Sequence, residues 1–307
     1  MKKIPLIVVA GPTASGKTRL AIDIAKEFNG EIVSADSMQI YKYMDIGTAK
    51  PTIEEQAEVK HHLIDFLEPD EEFSVADYTK LAHKTIADIT GRGKIAVMCG
   101  GTGLYIDSVV NDVDFGEMET DYKYREQLRE IAEKEGGQKL IEMLAEFDPI
   151  SAERLHPNNI KRVIRAIEFF KISGIPFSEH QENTKMAESR YNPVMFCIDH
   201  NRSTLYERIN RRVDIMLEEG LLEEVKKIMD MGYTKDLNSM KGIGYKDIMD
   251  YYDGLYSLEE AVEAVKQGSR RYAKRQLTWF RRNDKITILN PDNALEMAKE
   301  VINEKTN

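Results

Sequence analysis

The chain has 307 residues, enough for one large α/β domain or a core with a smaller companion, and its 42% hydrophobic and 31% charged residues exclude global disorder. Its apolar runs fall short of the ~20 residues that span a bilayer, so a membrane-spanning helix is excluded and no membrane partner is expected. The formal net charge of -10 argues against a nucleic-acid partner when taken alone, but it averages over a local reversal near the C-terminus.

Ile4 to Ala10 is a nearly continuous apolar run, the pattern of a strand buried on both faces. Met1-Lys2-Lys3 before it has the outline of a signal peptide. The run is short, however, and passes into Gly11 rather than a small-residue cleavage site, so a cytoplasmic chain is expected. Leu20, Ala21, Ile24, Ala25 and Phe28 recur at helical spacing until Asn29-Gly30 stops them, and Glu31 to Ala35 reads as a second strand. Ser74 and Asp77 have capping-box spacing; Tyr78, Leu81, Ala82, Thr85, Ile86 and Ile89 share a face of the helix that Gly91 ends. Ile95 to Cys99 is the next strand, and the alternation of strands and helices predicts a parallel sheet covered on both faces.

The texture changes after about Phe115. From Asp121 to Ser173 only helices are predicted, the clearest being Asn158 to Ser173 with Ile160, Val163, Ile164, Ile167 and Phe170 on one face and Gly174 as its stop. Val194 to Asp199 and Ile286 to Leu289 return to strand character. The simplest layout is an α/β core formed by residues 1–115 and 189–307, interrupted by an all-helical insertion over 116–188. Cys99 and Cys197 sit inside apolar strands and read as reduced core residues rather than a disulfide. Oligomeric state is not legible, and a monomer is the default expectation.

Gly11-Pro12-Thr13-Ala14-Ser15-Gly16-Lys17-Thr18 fits the P-loop pattern in full, between a buried strand and an amphipathic helix. A chance match in a chain of this length is on the order of one per cent. Backbone N–H groups of such a loop curl around phosphate oxygens, and the helix N-terminus adds positive potential. Lys17 supplies a mobile positive charge, and the Thr18 hydroxyl is placed to ligate magnesium. The core is therefore P-loop NTPase-like, a nucleotide-binding (ATP-binding) type of fold, but the motif does not name the reaction. Asp65 and Asp199 follow hydrophobic stretches as a hydrolytic acid would; the first stretch is too polar and the second lies beyond the insertion. A guanine-specifying N-K-x-D is absent from the sequence. Asp36 follows the second strand at the carboxyl edge, where open α/β sheets bind ligands, and can accept a proton from an attacking nucleophile or simply cap a loop. Gly100-Gly101-Thr102-Gly103 ends the strand Ile95 to Cys99 in the same row, as a close ligand approach or a tight turn.

Between Arg270 and Arg282 stand six basic residues and no acidic one: Arg270, Arg271, Lys274, Arg275, Arg281 and Arg282. On one helix they occupy an arc of about 140°, leaving Tyr272, Leu277, Trp279 and Phe280 for the core. Such a stripe suits a phosphate backbone, or is a solvated face paired with acids. Arg162 and Arg165 in the insertion are a second hint of the same kind.

At this point the sequence resembles the tRNA dimethylallyltransferases, which prenylate an adenosine beside the anticodon. The resemblance is carried by GPTASGKT (11–18), SADSMQIYKYMDIGTAKP (34–51), HHLIDFLEP (61–69), GGTGLYI (100–106), HPNNIKRVIRAIE (156–168), LYERINRRVD (205–214), GIGYKD (242–247) and RRYAKRQLTWFRR (270–282). It implies that dimethylallyl pyrophosphate occupies the P-loop with Mg2+, and that the exocyclic amine of the adenine displaces pyrophosphate. It implies further that Asp36 takes the amine's proton, that Ser37, Met38 and Gln39 contact the flipped adenosine, and that Thr102 serves catalysis. Arg125 would contact the tRNA anticodon stem-loop from the insertion, and Arg208 or Arg212 would hold pyrophosphate. The competing expectations are a small-molecule or nucleotide kinase, an isopentenyltransferase acting on free adenine nucleotides, and a nucleotide-gated RNA-binding switch.

Overall fold

A computed structural model of the protein describes residues 3–113, 115, 121–186 and 188–306. The chain divides into two compact units, Met1–Val110 with Ser189–Asn307, and Asn111–Glu188. The expected junction at residue 116 falls outside the described residues.

The first unit is built on a six-stranded sheet in which every pairing is parallel. Its strands are β1 (Ile4–Ala10), β2 (Gly30–Ser34), β3 (His61–His62), β4 (Ile95–Gly100), β5 (Tyr191–Ile198) and β6 (Ile286–Leu289), in the order β3-β2-β4-β1-β5-β6. The alternation of β1 shows why the sheet carries helices on both faces. Leu6, Val8 and Ala10 pack with α3 (Val75–Gly91) and α4 (Gly103–Val110), while Ile7 and Val9 pack with α1 (Lys17–Glu27) and a C-terminal helix over Ala294–Thr306. Ser74 and Asp77 form both hydrogen bonds of the predicted capping box at the start of α3.

The crossover from β1 through α1 to β2 leaves a gap that β4 fills, and the chain then passes across β1 to β5. The carboxyl ends of β1, β2 and β4 therefore lie side by side at a topological switch point. Each is followed by one of the predicted ligand segments: residues 11–18, Asp36 and residues 101–103. Five more helices close this unit: α2 (Ile53–Glu58), α10 (Arg202–Glu218), α11 (Leu221–Asp230), α12 (Tyr245–Tyr252) and α13 (Leu258–Phe280). A separate apolar cluster joins Ile40, Tyr41 and Met44 of the segment after β2 to Leu221, Val225, Tyr245 and Ile248.

The second unit is all-helical: α5 (Tyr122–Glu135), α6 (Gly137–Ala145), α7 (Pro149–Arg154), α8 (Ile160–Ser173) and α9 (Phe177–Met186). Leu128, Leu140, Leu144, Val163 and Ile167 form its core. The buried Asp148 caps α7 through the Ser151 N–H (3.0 Å) and accepts from Ser178 N–H and Oγ (2.9 and 2.6 Å). Gly174 ends α8 in the left-handed conformation, φ 70°.

Candidate active site

The chain leaves β1 at Ala10 and turns through the P-loop into α1. Gly16 holds the N-cap at φ 91°, a conformation glycine adopts freely, and no side chain caps the helix. The first N–H groups of α1 are thus left to a ligand, with the positive end of the helix dipole behind them. Ser15 Oγ is buried with no hydrogen-bond partner among the described residues, a further donor for a phosphate oxygen. Lys17 Nζ rests on the Pro12 carbonyl at 3.2 Å. Burial pulls its ammonium below the ordinary value.

The loop is gripped from outside. Arg208 Nε donates to the Ala14 carbonyl (2.8 Å), and Arg212, one turn along α10, reaches Thr13 Oγ1 (3.5 Å). His200 Nε2 lies 2.9 Å from the Ser15 carbonyl. Gln276 of α13 accepts the Thr13 N–H at 3.1 Å. Burial also pulls the Arg212 guanidinium below its ordinary value. Neither Lys17 nor Arg212 forms an ion pair among the described residues. Two desolvated cations beside a curl of N–H groups make an anion site.

The opposite side of the site comes from β2 and β4. Asp36 Oδ1 accepts the N–H groups of Met38 (2.9 Å) and Gln39 (3.4 Å), so its carboxylate organises the turn that follows it. Thr102 Oγ1 accepts the Ser37 N–H (3.0 Å) and donates to Ser37 Oγ (3.3 Å), while its own N–H donates to the Ala35 carbonyl (3.1 Å). A Cβ at Gly100 would stand 2.1 Å from the Ala35 oxygen, which explains the glycine there. The Tyr272 hydroxyl bonds to Thr102 and faces the Asp36 charge; burial, first, and that charge push it up to about 12.

Lys17, Thr18, Ser34, Asp36, Gln39 and His61 line one pocket. His61 Nδ1 lies 2.8 Å from the Val59 carbonyl, and its Nε2 is buried without a partner among the described residues. Burial lowers its pKa, so the ring is neutral and its Nε2 is left as an acceptor. Thr18 brings a hard oxygen donor to the same pocket. Clusters of three or more His, Cys, Asp or Glu are absent among the described residues. One or two protein oxygens completed by phosphate oxygens and water is the usual magnesium pattern, so this pocket fits that ion.

The Asp36–Lys50 segment is tied down along its length. Gln39 Nε2 donates to the Thr48 and Ala49 carbonyls (3.3 and 3.0 Å). Glu224 accepts the N–H groups of Asp45, Ile46 and Gly47 (2.9, 2.8 and 3.0 Å) and the Tyr245 hydroxyl (2.7 Å). Met38 packs against the apolar cluster of Ile40 and Tyr245, and its Cε occupies the space that a Cβ at Gly242 would need.

The basic stripe is narrower than expected. Helix α13 ends at Phe280, so Arg281 and Arg282 leave the predicted arc, and Arg281 pairs with Asp199 at 2.8 Å. Arg270 is held by Glu263 (2.8 Å) and Asn210 (2.7 Å). Arg275 lies over the Tyr272 ring, while Arg271 and Lys274 are exposed with no ion pair among the described residues. Trp279, assigned to the core side, is 39% exposed and donates to Asp107 Oδ2 at 2.8 Å. Asp65 pairs with Lys50 at 2.8 Å, so Asp65 and Asp199, the two acids that follow hydrophobic stretches, are both held in ion pairs.

Within the insertion, Arg125 grips the fully buried Glu168 through Nε and Nη2 (both 2.8 Å), and Arg165 Nη1 adds a third bond at 2.9 Å. Arg162 is exposed with no ion pair among the described residues. Gln276 and Glu224 were not anticipated. The one available signal for Gln276 is a polar residue in step with the inward Ala273 and Phe280 of α13.

The family model for IPP transferase matches residues 39–283, and that for isopentenyl transferase matches residues 4–68. A tRNA dimethylallyltransferase of Acetivibrio thermocellus is 52% identical over 287 residues, covering 94% of this chain and 92% of the relative. The crystal structure of a tRNA isopentenylpyrophosphate transferase from Bacillus halodurans superposes with a TM-score of 0.74 at 44% identity, covering 99% of this chain and 97% of that one. A eukaryotic dimethylallyltransferase solved acting on tRNA gives a TM-score of 0.87 at 28% identity, covering 99% of this chain and 79% of that one.

Proposed function

The chain belongs to the IPP transferase family, and on that premise we propose that it transfers a dimethylallyl group from dimethylallyl pyrophosphate to the exocyclic amine of the adenosine adjacent to the anticodon in tRNA, releasing pyrophosphate. The observation that carries the chemistry is the pair of desolvated cations, Lys17 and Arg212, beside the P-loop N–H groups, with Asp36 on the adjoining pocket.

An aromatic amine is a weak nucleophile, so catalysis acts chiefly on the leaving group. As the amine nitrogen bonds to the allylic carbon, the carbon–oxygen bond breaks and its electron pair departs with pyrophosphate. The growing negative charge is met by the uncapped N–H groups at the start of α1, by Lys17 and by Arg212. Thr18 is the residue that would hold a magnesium ion, which would supply Lewis-acid stabilisation of pyrophosphate when bound. Asp36 receives the proton released by the alkylated amine. Thr102 keeps Asp36 in place through the Ser37 N–H. The target base must leave its stack to reach this pocket, and Ser37, Met38 and Gln39 form the braced turn that receives it. The exposed cations Arg271, Lys274 and Arg275 on α13 hold the RNA backbone. Dimethylallyl pyrophosphate as donor and a monomeric enzyme are parts of the same proposal.

The test is incubation with magnesium, labelled dimethylallyl pyrophosphate and either unmodified tRNA or AMP. Label is expected in tRNA and not in AMP. Label in AMP alone identifies a free-nucleotide enzyme, and phosphoryl transfer from ATP without prenyl transfer identifies a kinase; either outcome overturns the proposal.

A further inference from the structure

Helix α13 faces two ways. Its outer side carries Arg271 and Lys274, and its inner side buries Ala273, Gln276 and Phe280. Gln276 is the polar residue of that inner row, and both ends of its amide are engaged. Oε1 accepts the Thr13 N–H of the P-loop at 3.1 Å, and Nε2 donates to the Gly101 carbonyl at 2.9 Å. The fit is tight, because a Cβ at Gly101 would lie 2.1 Å from Gln276 Nε2.

The hydrogen bonds continue from there without a gap. Gly101 leads to Thr102, whose N–H holds the Ala35 carbonyl (3.1 Å) and whose Oγ1 holds the Ser37 N–H (3.0 Å). Those two bonds bracket Asp36, which in turn accepts the Met38 N–H at 2.9 Å. One amide thus connects the loop that cradles the leaving group to the turn that carries the proton acceptor. The two loops that Gln276 bonds directly, at Thr13 and Gly101, follow different strands, β1 and β4, and the side chain that bridges them comes from a helix more than 170 residues further on.

We propose that Gln276 is a positioning residue for the transfer reaction: it sets the distance between the pyrophosphate cradle and the Asp36 turn. This rests on the functional reading above. In-line displacement needs nucleophile, carbon and leaving group aligned, and a misplacement of about 1 Å costs about a hundredfold in rate. A side chain that donates and accepts at once fixes both loops to one frame, which an apolar side chain of similar size cannot do.

The experiment is steady-state transfer to tRNA by the full chain with Gln276→Met and Gln276→Glu. Methionine keeps the volume and removes both bonds. Glutamate keeps the acceptor for Thr13 and sets a carboxylate oxygen against the Gly101 carbonyl. For each variant kcat is expected to fall by about a hundredfold while KM for tRNA stays within about threefold. Some loss of thermal stability accompanies any role for a buried amide; the split between kcat and KM does not. If Gln276 merely anchors α13, KM for tRNA rises because Arg271 and Lys274 shift with the helix, and kcat is retained; that result overturns the proposal. Should the methionine variant fail to fold, the glutamate variant carries the same test. Absence of transfer by the wild type defeats the functional reading instead. Magnesium pyrophosphate affinity then decides for Gln276: about a tenfold loss in Gln276→Met supports it, and unchanged affinity overturns it.

Discussion

On α13, Arg271 and Lys274 stand exposed with no ion pair among the described residues; in the insertion, Arg125 and Arg165 both bind the buried Glu168. In the sequence these arginines and lysines read alike, as hints of an RNA surface. The structure separates them by what each is already bound to. A guanidinium held by a buried carboxylate has one or two of its five donors engaged and part of its charge offset, so it acts first as a structural tie: Arg125 joins α5 to α8, and Arg165 braces Glu168 within α8. A cation without such a partner keeps its full charge for a phosphate backbone.

The largest expected effect is reversal of the exposed pair. Arg271→Glu with Lys274→Glu is expected to weaken tRNA binding by about a hundredfold and to flatten its dependence on log salt by about two units, while KM for dimethylallyl pyrophosphate is unchanged. Filter binding across a KCl series reads this directly, and an unchanged slope would place the RNA elsewhere. Next is Glu168→Ala, which leaves two guanidinium groups and the Asp121 N–H without their acceptor. The expected loss is on the order of 2–3 kcal/mol, at the low end for a buried ion pair because both arginines keep an exposed edge. Thermal denaturation measures it; wild-type stability would show that the cluster is not a strut. Arg162→Ala supplies the contrast, with stability retained and the salt slope reduced by about one unit.

Arg281 sharpens the comparison with a smaller effect. It lies in the basic run of the sequence but is paired with Asp199, so Arg281→Ala is expected to leave the salt slope within about 0.3 of wild type. The smallest effect concerns the cysteines. Burial pushes the Cys99 and Cys197 thiols each up to about 12, so at pH 8 both are protonated and unreactive. Mass spectrometry after iodoacetamide treatment should find no label on the native chain and two labels after denaturation in urea. Labelling of the native chain would show a thiolate that this environment does not permit.

The fold was legible wherever a periodic apolar pattern met a stop signal. The strand–loop–helix of residues 4–27, the capped helix after Ser74 and the helix ended by Gly174 follow from spacing and turn chemistry, with boundaries moved by one to three residues. Strand β3 was not legible, because two histidines have no apolar alternation and are joined to β2 by backbone pairing and by His62 Nε2 on the Glu31 carboxylate at 2.7 Å, contacts that exist only after folding. The P-loop could be read because its chemistry is in the main chain and its glycines are contiguous. Asp36 and Thr102 could be read as candidates because parallel strands align their carboxyl ends. Gln276 and Glu224 could not, since each acts on backbone groups more than 150 residues away, and that partnership exists only after folding. The width of the basic stripe was misjudged for the same reason. The end of α13 at Phe280 and the pairing of Arg281 with Asp199 are tertiary facts.

The most direct test of the central claim is single-turnover transfer by Asp36→Ala, measured beside its affinity for magnesium pyrophosphate. If Asp36 receives the proton opposite a cradle built by the P-loop, transfer falls by about 10²–10⁴-fold while pyrophosphate affinity stays within about twofold. Transfer at the wild-type rate, or a loss of pyrophosphate binding that accounts for the whole defect, would contradict it.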